Sequence, residues 1–406
     1  MRNVSTHSGK GLSAVLQKNP GDVVITFAKR TAMGRNKKGQ FKDTPVDEMM
    51  QALFKATFET TKLDPAKLED ICVGTCHPPS PMYSSRAAAL ASGIPQDVPI
   101  STVNRLCSSG LMAIRNIAHA IQSGEISLGM AVGVENMTLN PRPTPSIAES
   151  VDKYPQAHDC IQPMGWTSEM VAHTYKVSRQ KQDEYALISH TRAAKAMTNG
   201  IFSEEIIPIE VRGTVISVDD TIRPGVTMEM LSGLKPVFQD WGEAATTAGN
   251  ASGIGDGAAL CILTTRERAE KENMEIIGKW VGSAVVGVEP RYMGIGPIAA
   301  IPKVLTQVGL TKDDIDVYEI NEAFASQFAY CVEELGISMD KINPNGGAIS
   351  VTHPLGMTGV RQLVTGLAEL RRTDKKLLCT SMCVGSGMGA AGIFVNEARP
   401  LLEAKL

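Results

Sequence analysis

The 406-residue sequence predicts an α/β protein made of two similar halves with a further segment inserted into the first. Three observations predict it. Short apolar, β-branched runs alternate with helical patterns along most of the chain. A strand-to-helix junction near residue 100 has a second version near residue 318, and the buried-strand pattern lapses between about 136 and 240, where prolines cluster.

Taken in order, residues 1–21 are polar and weakly periodic and are read as a flexible N-terminal arm. Asp22-Val-Val-Ile-Thr-Phe opens the first buried strand. Helical patterns follow at about Pro45–Thr61 and Pro81–Ser92. Val98-Pro-Ile-Ser-Thr-Val103 is a strand that runs at once into a helix, where Leu111, Ile114, Ile117, Ala118 and Ile121 share a face. Ile126–Val132 is the next strand. The stretch 136–240 holds Pro141, Pro143, Pro145 and two amphipathic helices near Thr167–Tyr175 and Arg179–Asn199, and reads as an insertion lying over the core. The buried pattern resumes at Ala258–Thr264. It continues through Ile276–Val286, Gly296–Val308, Ile315–Ile320, helices at Ala323–Leu335 and Thr358–Arg371, and a closing strand pair near Leu377–Val395.

The two ends of this core resemble each other. Val98-Pro-Ile-Ser-Thr-Val-Asn-Arg-Leu-Cys aligns with Ile315-Asp-Val-Tyr-Glu-Ile-Asn-Glu-Ala-Phe, matching Asn104 to Asn321 and Cys107 to Phe324. Met130-Ala-Val-Gly-Val-Glu-Asn-Met likewise resembles Met382-Cys-Val-Gly-Ser-Gly-Met. Two copies of one unit would set these junctions about a pseudo-dyad, facing a shared site.

Charge narrows the function. Forty basic and 43 acidic side chains leave a net charge of −3, which gives no footprint for nucleic acid or an anionic membrane. No apolar run approaches the ~18 residues of a membrane span. The first residues lack a secretory h-region, so the eight cysteines are expected as free thiols in a reducing compartment. Cys72-x-x-x-Cys76-His77 and Cys379-x-x-x-Cys383 lack the paired half-sites of zinc binding, and no metal site is expected.

Cys107 leads the candidates for chemistry. It stands where a strand ends and a helix begins, so free N–H groups and the helix dipole can stabilise a thiolate or an oxyanion. The alternative is an inert buried thiol. His353, in Asn345-Gly-Gly-Ala-Ile-Ser-Val-Thr-His-Pro-Leu-Gly, is expected at the end of a strand; it suits a general base or a structural loop histidine. Cys383 precedes Gly385-Ser-Gly-Met-Gly, whose glycines let backbone approach a substrate. That run fits G-x-G-x-x-A, but β-branched Ile393-Phe-Val follows where a dinucleotide fold needs a helix, which excludes NAD there. Asn321 either caps a helix or anchors a water in a site. Met164, Met170, Met228 and Met230 are packing residues or the lining of an acyl slot.

Together these blocks resemble the thiolase family: Asn104-Arg-Leu-Cys-Ser-Ser-Gly110, Asn321-Glu-Ala-Phe-Ala325, Gly346-Gly-Ala-Ile with His353-Pro-Leu-Gly356, and Cys383-Val-Gly-Ser-Gly387. Pro163-Met-Gly-Trp-Thr-Ser-Glu-Met-Val-Ala and Thr247-Ala-Gly-Asn-Ala-Ser252 match as well, and the resemblance spans about 22–397. Glu319-Ile-Asn-Glu-Ala-Phe-Ala-Ser-Gln is most similar to the eukaryotic peroxisomal 3-ketoacyl-CoA members.

The resemblance implies a thiolase fold, two pseudo-symmetric βαβαβαββ halves in a layered α-β-α-β-α core with an inserted loop domain. The chain then divides into the arm, an N-terminal half at 22–135, a covering domain at 136–240, a return to the first half at 241–275, a C-terminal half at 276–397 and a tail at 398–406. It implies thiolysis of 3-ketoacyl-CoA, with Cys107 as nucleophile, His353 as its base, and Cys383 as the acid/base for the leaving and entering groups. Asn321 would hold a water beside His353, and the N–H groups of Cys107 and Gly385 would form an oxyanion hole. Arg223, Leu234, Phe238, Ala248, Ser252, Met164 and Phe324 would contact CoA and its pantetheine. CoA would be a co-substrate with no permanently bound cofactor, and the assembly a homodimer or homotetramer. Ala404-Lys405-Leu406 resembles a peroxisomal address read by an import receptor, so a peroxisome is expected, with the cytoplasm as the alternative.

Several positions depart from the family pattern: Leu106 for Gln, Thr352 for Gly, Met170 for Asn and Met230 for Ser, with an unusual His77-Pro-Pro-Ser-Pro-Met-Tyr loop. These put the preferred acyl chain in question and motivate a specialised condensing role as an alternative. A biosynthetic acetoacetyl-CoA thiolase would use the same residues. A decarboxylating ketosynthase would lack the Cys383 thiol, and a silent acyl-CoA-binding protein would have lost Cys107, His353 or Cys383.

Overall fold

The computed structural model describes residues 9–241 and 243–400, so Ala404-Lys405-Leu406 lies outside the described residues. Its strands are β1 (Val23–Arg30), β2 (Gly34–Arg35), β3 (Asp70–Gly74), β4 (Ile100–Val103), β5 (Leu128–Asn136), β6 (Ile209–Val211), β7 (Thr214–Ile216), β8 (Gly255–Thr265), β9 (Gly278–Gly287), β10 (Val317–Ile320), β11 (Leu377–Val384) and β12 (Met388–Asn396). β5 and β11 are buried along their whole length. Such continuous apolar runs, rather than alternating ones, belong to a sheet covered on both faces.

The strands form two sets of the same topology. In the first the order is β4-β3-β5-β8-β1, with β4, β3 and β5 parallel and β8 antiparallel to its neighbours. In the second it is β10-β11-β12-β9, with β10 and β11 parallel. The sets join only where Val24 and Ile25 of β1 meet Lys279 and Gly278 of β9. A β4 counterpart in the second set shrinks to a single bridge, Tyr318 to Ile342.

This order corrects the register of the internal repeat. β11 does answer β5, as the Met130 and Met382 runs suggested. β10, however, answers β3 rather than β4, so Asn321 corresponds to the turn after Gly74, and the counterpart of the Cys107 loop is the segment that carries His353. The misreading arises because every buried parallel strand entering a helix shows the same apolar run and polar turn.

Helices Ser109–Ser123 and Leu355–Thr373 pack on each other between the two strand sets, the second touching β5 and β8 on one side and β10 and β11 on the other. Glycine makes the crossing close. A Cβ on Gly359 would lie 2.2 Å from the Leu111 nitrogen, and one on Gly110 2.6 Å from the Gly356 oxygen.

The inserted stretch holds helices Met164–Thr174 and Arg179–Thr198 and a β6–β7 hairpin turned at left-handed Arg212 and Gly213. Three-residue strands were too short to register as a period. Arg30 pins this stretch to the core through buried ion pairs with Glu205 (2.9 Å) and Asp219 (2.8 Å). At the other end, part of the expected flexible arm is docked. Helix Leu12–Leu16 buries Val15, Gly11 N–H donates to Val308 O (2.9 Å), and Lys279 Nζ donates to Gln17 O (2.7 Å). Five residues of which only Val15 is buried are too few to carry a periodic signal.

Candidate active site

The Cys107 loop is held in an uncommon backbone conformation. Leu106, directly before the cysteine, has φ +46°, a region that costs a non-glycine residue roughly 1 kcal/mol or more. Its neighbours hold it there. Asn104 Oδ1 accepts from Leu106 N–H (2.9 Å), and Leu106 O accepts from Ser109 Oγ (2.7 Å) and Cys76 Sγ (3.0 Å). Cys107 then precedes the N-cap of helix Ser109–Ser123 and meets its positive end. The backbone N–H groups of Cys107 and Gly385 favour its thiolate. Burial outweighs them and pushes the thiol up to about 11, so the resting group is a thiol rather than a thiolate.

His353 follows a short helix, Ala348–Val351, and not the strand expected from sequence. Its ring is 5% exposed. Thr358 Oγ1 donates to Pro354 O (2.8 Å), which spends its only proton, so at 2.6 Å it must accept from His353 Nδ1–H. Nε2 therefore carries the lone pair, and Asn321 Nδ2 donates to it at 3.3 Å. Burial, with a smaller contribution from the Arg361 charge, depresses His353 to about 3. The ring is neutral, with its lone pair on Nε2. Asn321 Oδ1 is buried with no partner among the described residues.

Cys383, on β11, is fully buried, and its thiol is pushed well up, first by desolvation and then by the nearby Cys107. It clusters with Met293, Ala323, Met164 and Phe324. Gly385 lies against Leu106 and Met164: a Cβ there would sit 3.0 Å from Leu106 Cδ1 and 3.7 Å from Met164 Sδ.

The residues that the resemblance assigns to CoA differ in depth. Arg223 and Ala248 are exposed and Leu234 is 38% exposed. Leu234 rests on Gly249, where a Cβ would come within 2.6 Å of it, and His190 Nε2 donates to Gly249 O (3.0 Å). Ser252 N–H donates to Ala323 O (3.0 Å) and Ala251 bridges to Phe324. The Phe238 ring covers Gly165, beside Met164. Gly253 O accepts from His353 N–H (3.0 Å), tying this segment to the base. Met230 is 58% exposed on helix Met228–Ser232.

Sequence reasoning missed two groups. Thr358, which sets the His353 tautomer, looked like an ordinary helix residue. Glu135 is fully buried and accepts backbone N–H groups from both catalytic halves. Its one signal was a carboxylate inside an otherwise apolar strand.

A buried thiol on which two backbone N–H groups act, a second buried thiol and a neutral histidine make a site for nucleophilic acyl transfer. The thiolase N-terminal domain model matches residues 23–267 and the thiolase C-terminal domain model residues 274–396. The chain belongs to the thiolase family. It is 48% identical over 391 residues to 3-ketoacyl-CoA thiolase B, peroxisomal, of Mus musculus, covering 93% of this chain and 92% of that one. The dimeric peroxisomal thiolase of Saccharomyces cerevisiae superposes with a TM-score of 0.91 at 43% identity, over 95% of this chain and all of that one. Human mitochondrial 3-ketoacyl-CoA thiolase in complex with CoA gives 0.84 at 35% identity, over 93% of this chain and 98% of that one.

Proposed function

We propose that this protein cleaves 3-ketoacyl-CoA with CoA, giving acetyl-CoA and an acyl-CoA two carbons shorter, as in fatty-acid β-oxidation. The observation that carries the reading is a buried Cys107 thiol on which the N–H groups of Cys107 and Gly385 act, together with a neutral His353 whose Nε2 carries the lone pair.

Cys107 attacks the 3-keto carbon and its proton passes to His353 Nε2. The new oxyanion lies between the N–H groups of Cys107 and Gly385. The C2–C3 bond then breaks. The enolate oxygen of the departing acetyl-CoA is held by His353 Nε2–H and a water on Asn321, and Cys383 protonates C2. The acyl group remains on Cys107 as a thioester. Incoming CoA gives its thiol proton to Cys383 and attacks that thioester, and Cys107 leaves and regains a proton from His353. Two half-reactions sharing one covalent intermediate give ping-pong kinetics.

Its relatives' peroxisomal names support residence in that organelle. Import by a receptor that reads Ala404-Lys405-Leu406 is the finer proposal, tested by appending that tripeptide to a fluorescent protein. The assembly is a homodimer, supported by the dimeric yeast relative and by β4. That strand forms a sheet edge beside Tyr83, 80% exposed, and Met82, 38% exposed.

The test is CoA-dependent loss of the enolate absorbance of acetoacetyl-CoA and of a long-chain 3-ketoacyl-CoA. Faster turnover of the long chain, abolished in Cys107→Ala, is expected. Turnover of acetoacetyl-CoA alone would replace this reading with the biosynthetic one.

A further inference from the structure

Glu135, one residue before the end of β5, is fully buried, yet no Lys, Arg or His side chain pairs with it among the described residues. Its carboxylate is held by three backbone N–H groups, with the Cys76 thiol beside it. Oε2 accepts from Cys76 N–H (3.0 Å) and Gly356 N–H (2.9 Å), and Oε1 from His77 N–H (2.9 Å). These donors belong to two separate segments. Cys76 and His77 form the turn after β3, and that turn straps the nucleophile loop: Cys76 Sγ donates to Leu106 O, and Asn104 Nδ2 donates to Cys76 O (3.2 Å). Gly356 opens the helix that starts two residues after His353.

The approach is tight enough to need glycine at both contacts. A Cβ on Gly356 would lie 2.5 Å from Gly74 O and 2.6 Å from Val134 O, and one on Gly133 2.4 Å from Gly356 O. One carboxylate thus receives donors from a segment of each half, one leading to the nucleophile and one to its base.

We propose that Glu135 is a positioning residue for thiolysis, fixing the Cys107 loop against the His353 loop through the N–H groups of Cys76, His77 and Gly356. The inference rests on the thiolase reading above. The titratable groups facing Glu135 are the Cys76 and Cys107 thiols; Arg142 is the cation acting on Cys107 in the opposite sense. Glu135 itself is raised to about 7 by burial, against those N–H donors. In its ionised form it adds to burial, the larger cause, in holding the Cys107 thiol up.

The experiment compares Glu135→Gln, Glu135→Asp and Cys76→Ala with wild type. It reads thiolysis kinetics and the pH dependence of Cys107 alkylation by iodoacetamide, followed by peptide mass. Glu135→Gln removes the charge at constant volume. Its kcat is expected to fall about 10- to 100-fold with KM within about threefold, as for a misplaced pair. Its alkylation midpoint is expected to move down. Glu135→Asp keeps the charge and loses reach, so kcat falls while the midpoint stays. Cys76→Ala leaves the carboxylate in place and is expected to lower kcat about threefold. Wild-type kcat in Glu135→Gln, or a fall in kcat with an unmoved midpoint, overturns the proposal. If Glu135→Gln does not fold, Glu135→Asp and Cys76→Ala decide: wild-type kcat in both overturns it. Alkylation needs no acyl-CoA, so an inactive wild type would contradict the thiolase reading while the midpoints still judge Glu135.

Discussion

His353 Nδ1 and Thr358 Oγ1 lie 2.6 Å apart, and the threonine proton is already committed to Pro354 O. That pair decides which ring nitrogen is the base. Thr358→Val keeps the shape and leaves a buried N–H without an acceptor, a loss of about 1–3 kcal/mol. Thiolysis is expected to drop by about tenfold or more in kcat, and Thr358→Ser to retain most of it. Steady-state kinetics of the two variants check this.

The same histidine shapes stability against pH. Its folded pKa, about 3, lies below the ordinary 6.5, so between these values the unfolded chain binds the extra proton. The contribution is present above pH 6.5 and is lost as pH falls toward 3. Thermal unfolding from pH 7 to 4 is expected to show a steeper decline for wild type than for His353→Gln. Equal slopes would contradict the buried neutral ring.

Thr352 stands just before the base with φ +77° and ψ 172°, a conformation nearly reserved for glycine, and its buried hydroxyl has no partner among the described residues. Such backbone costs about 1–3 kcal/mol. Thr352→Gly is therefore expected to stabilise the fold by about 1 kcal/mol after the added chain entropy. Chemical denaturation checks the sign.

Two glycines near the site should respond differently to alanine. At Gly385 the added carbon meets only the end of the Leu106 side chain, at 3.0 Å. Gly385→Ala should fold and lose about tenfold or more in kcat by shifting an oxyanion donor. At Gly356 it meets three backbone groups within 2.7 Å. Gly356→Ala should be destabilised by several kcal/mol. Circular dichroism melts with parallel kinetics separate the cases.

Much of this was legible in sequence because it rests on local chemistry. The β-branched runs gave the sheet, and Cys107, His353, Cys383 and Gly385 stand in short blocks whose turns and glycines carry meaning on their own. What escaped depends on distant segments meeting. The hydrogen bond from Thr358 to Pro354 spans one helical turn, yet its purpose appears only when His353 folds over it. Glu135 acts through residues 59 and 221 positions away. The repeat was misaligned for a similar reason: strand order is set by pairing across the sheet, and Ile320-Asn and Val103-Asn look alike along the chain.

The central claim is a covalent acyl group on Cys107. Wild-type protein mixed with a 3-ketoacyl-CoA in the absence of free CoA, acid-quenched and digested, should show the peptide holding Cys107 heavier by one acyl group, with a matching burst of acetyl-CoA. An adduct confined to Cys383, or acetyl-CoA release with no adduct on any thiol, would contradict it.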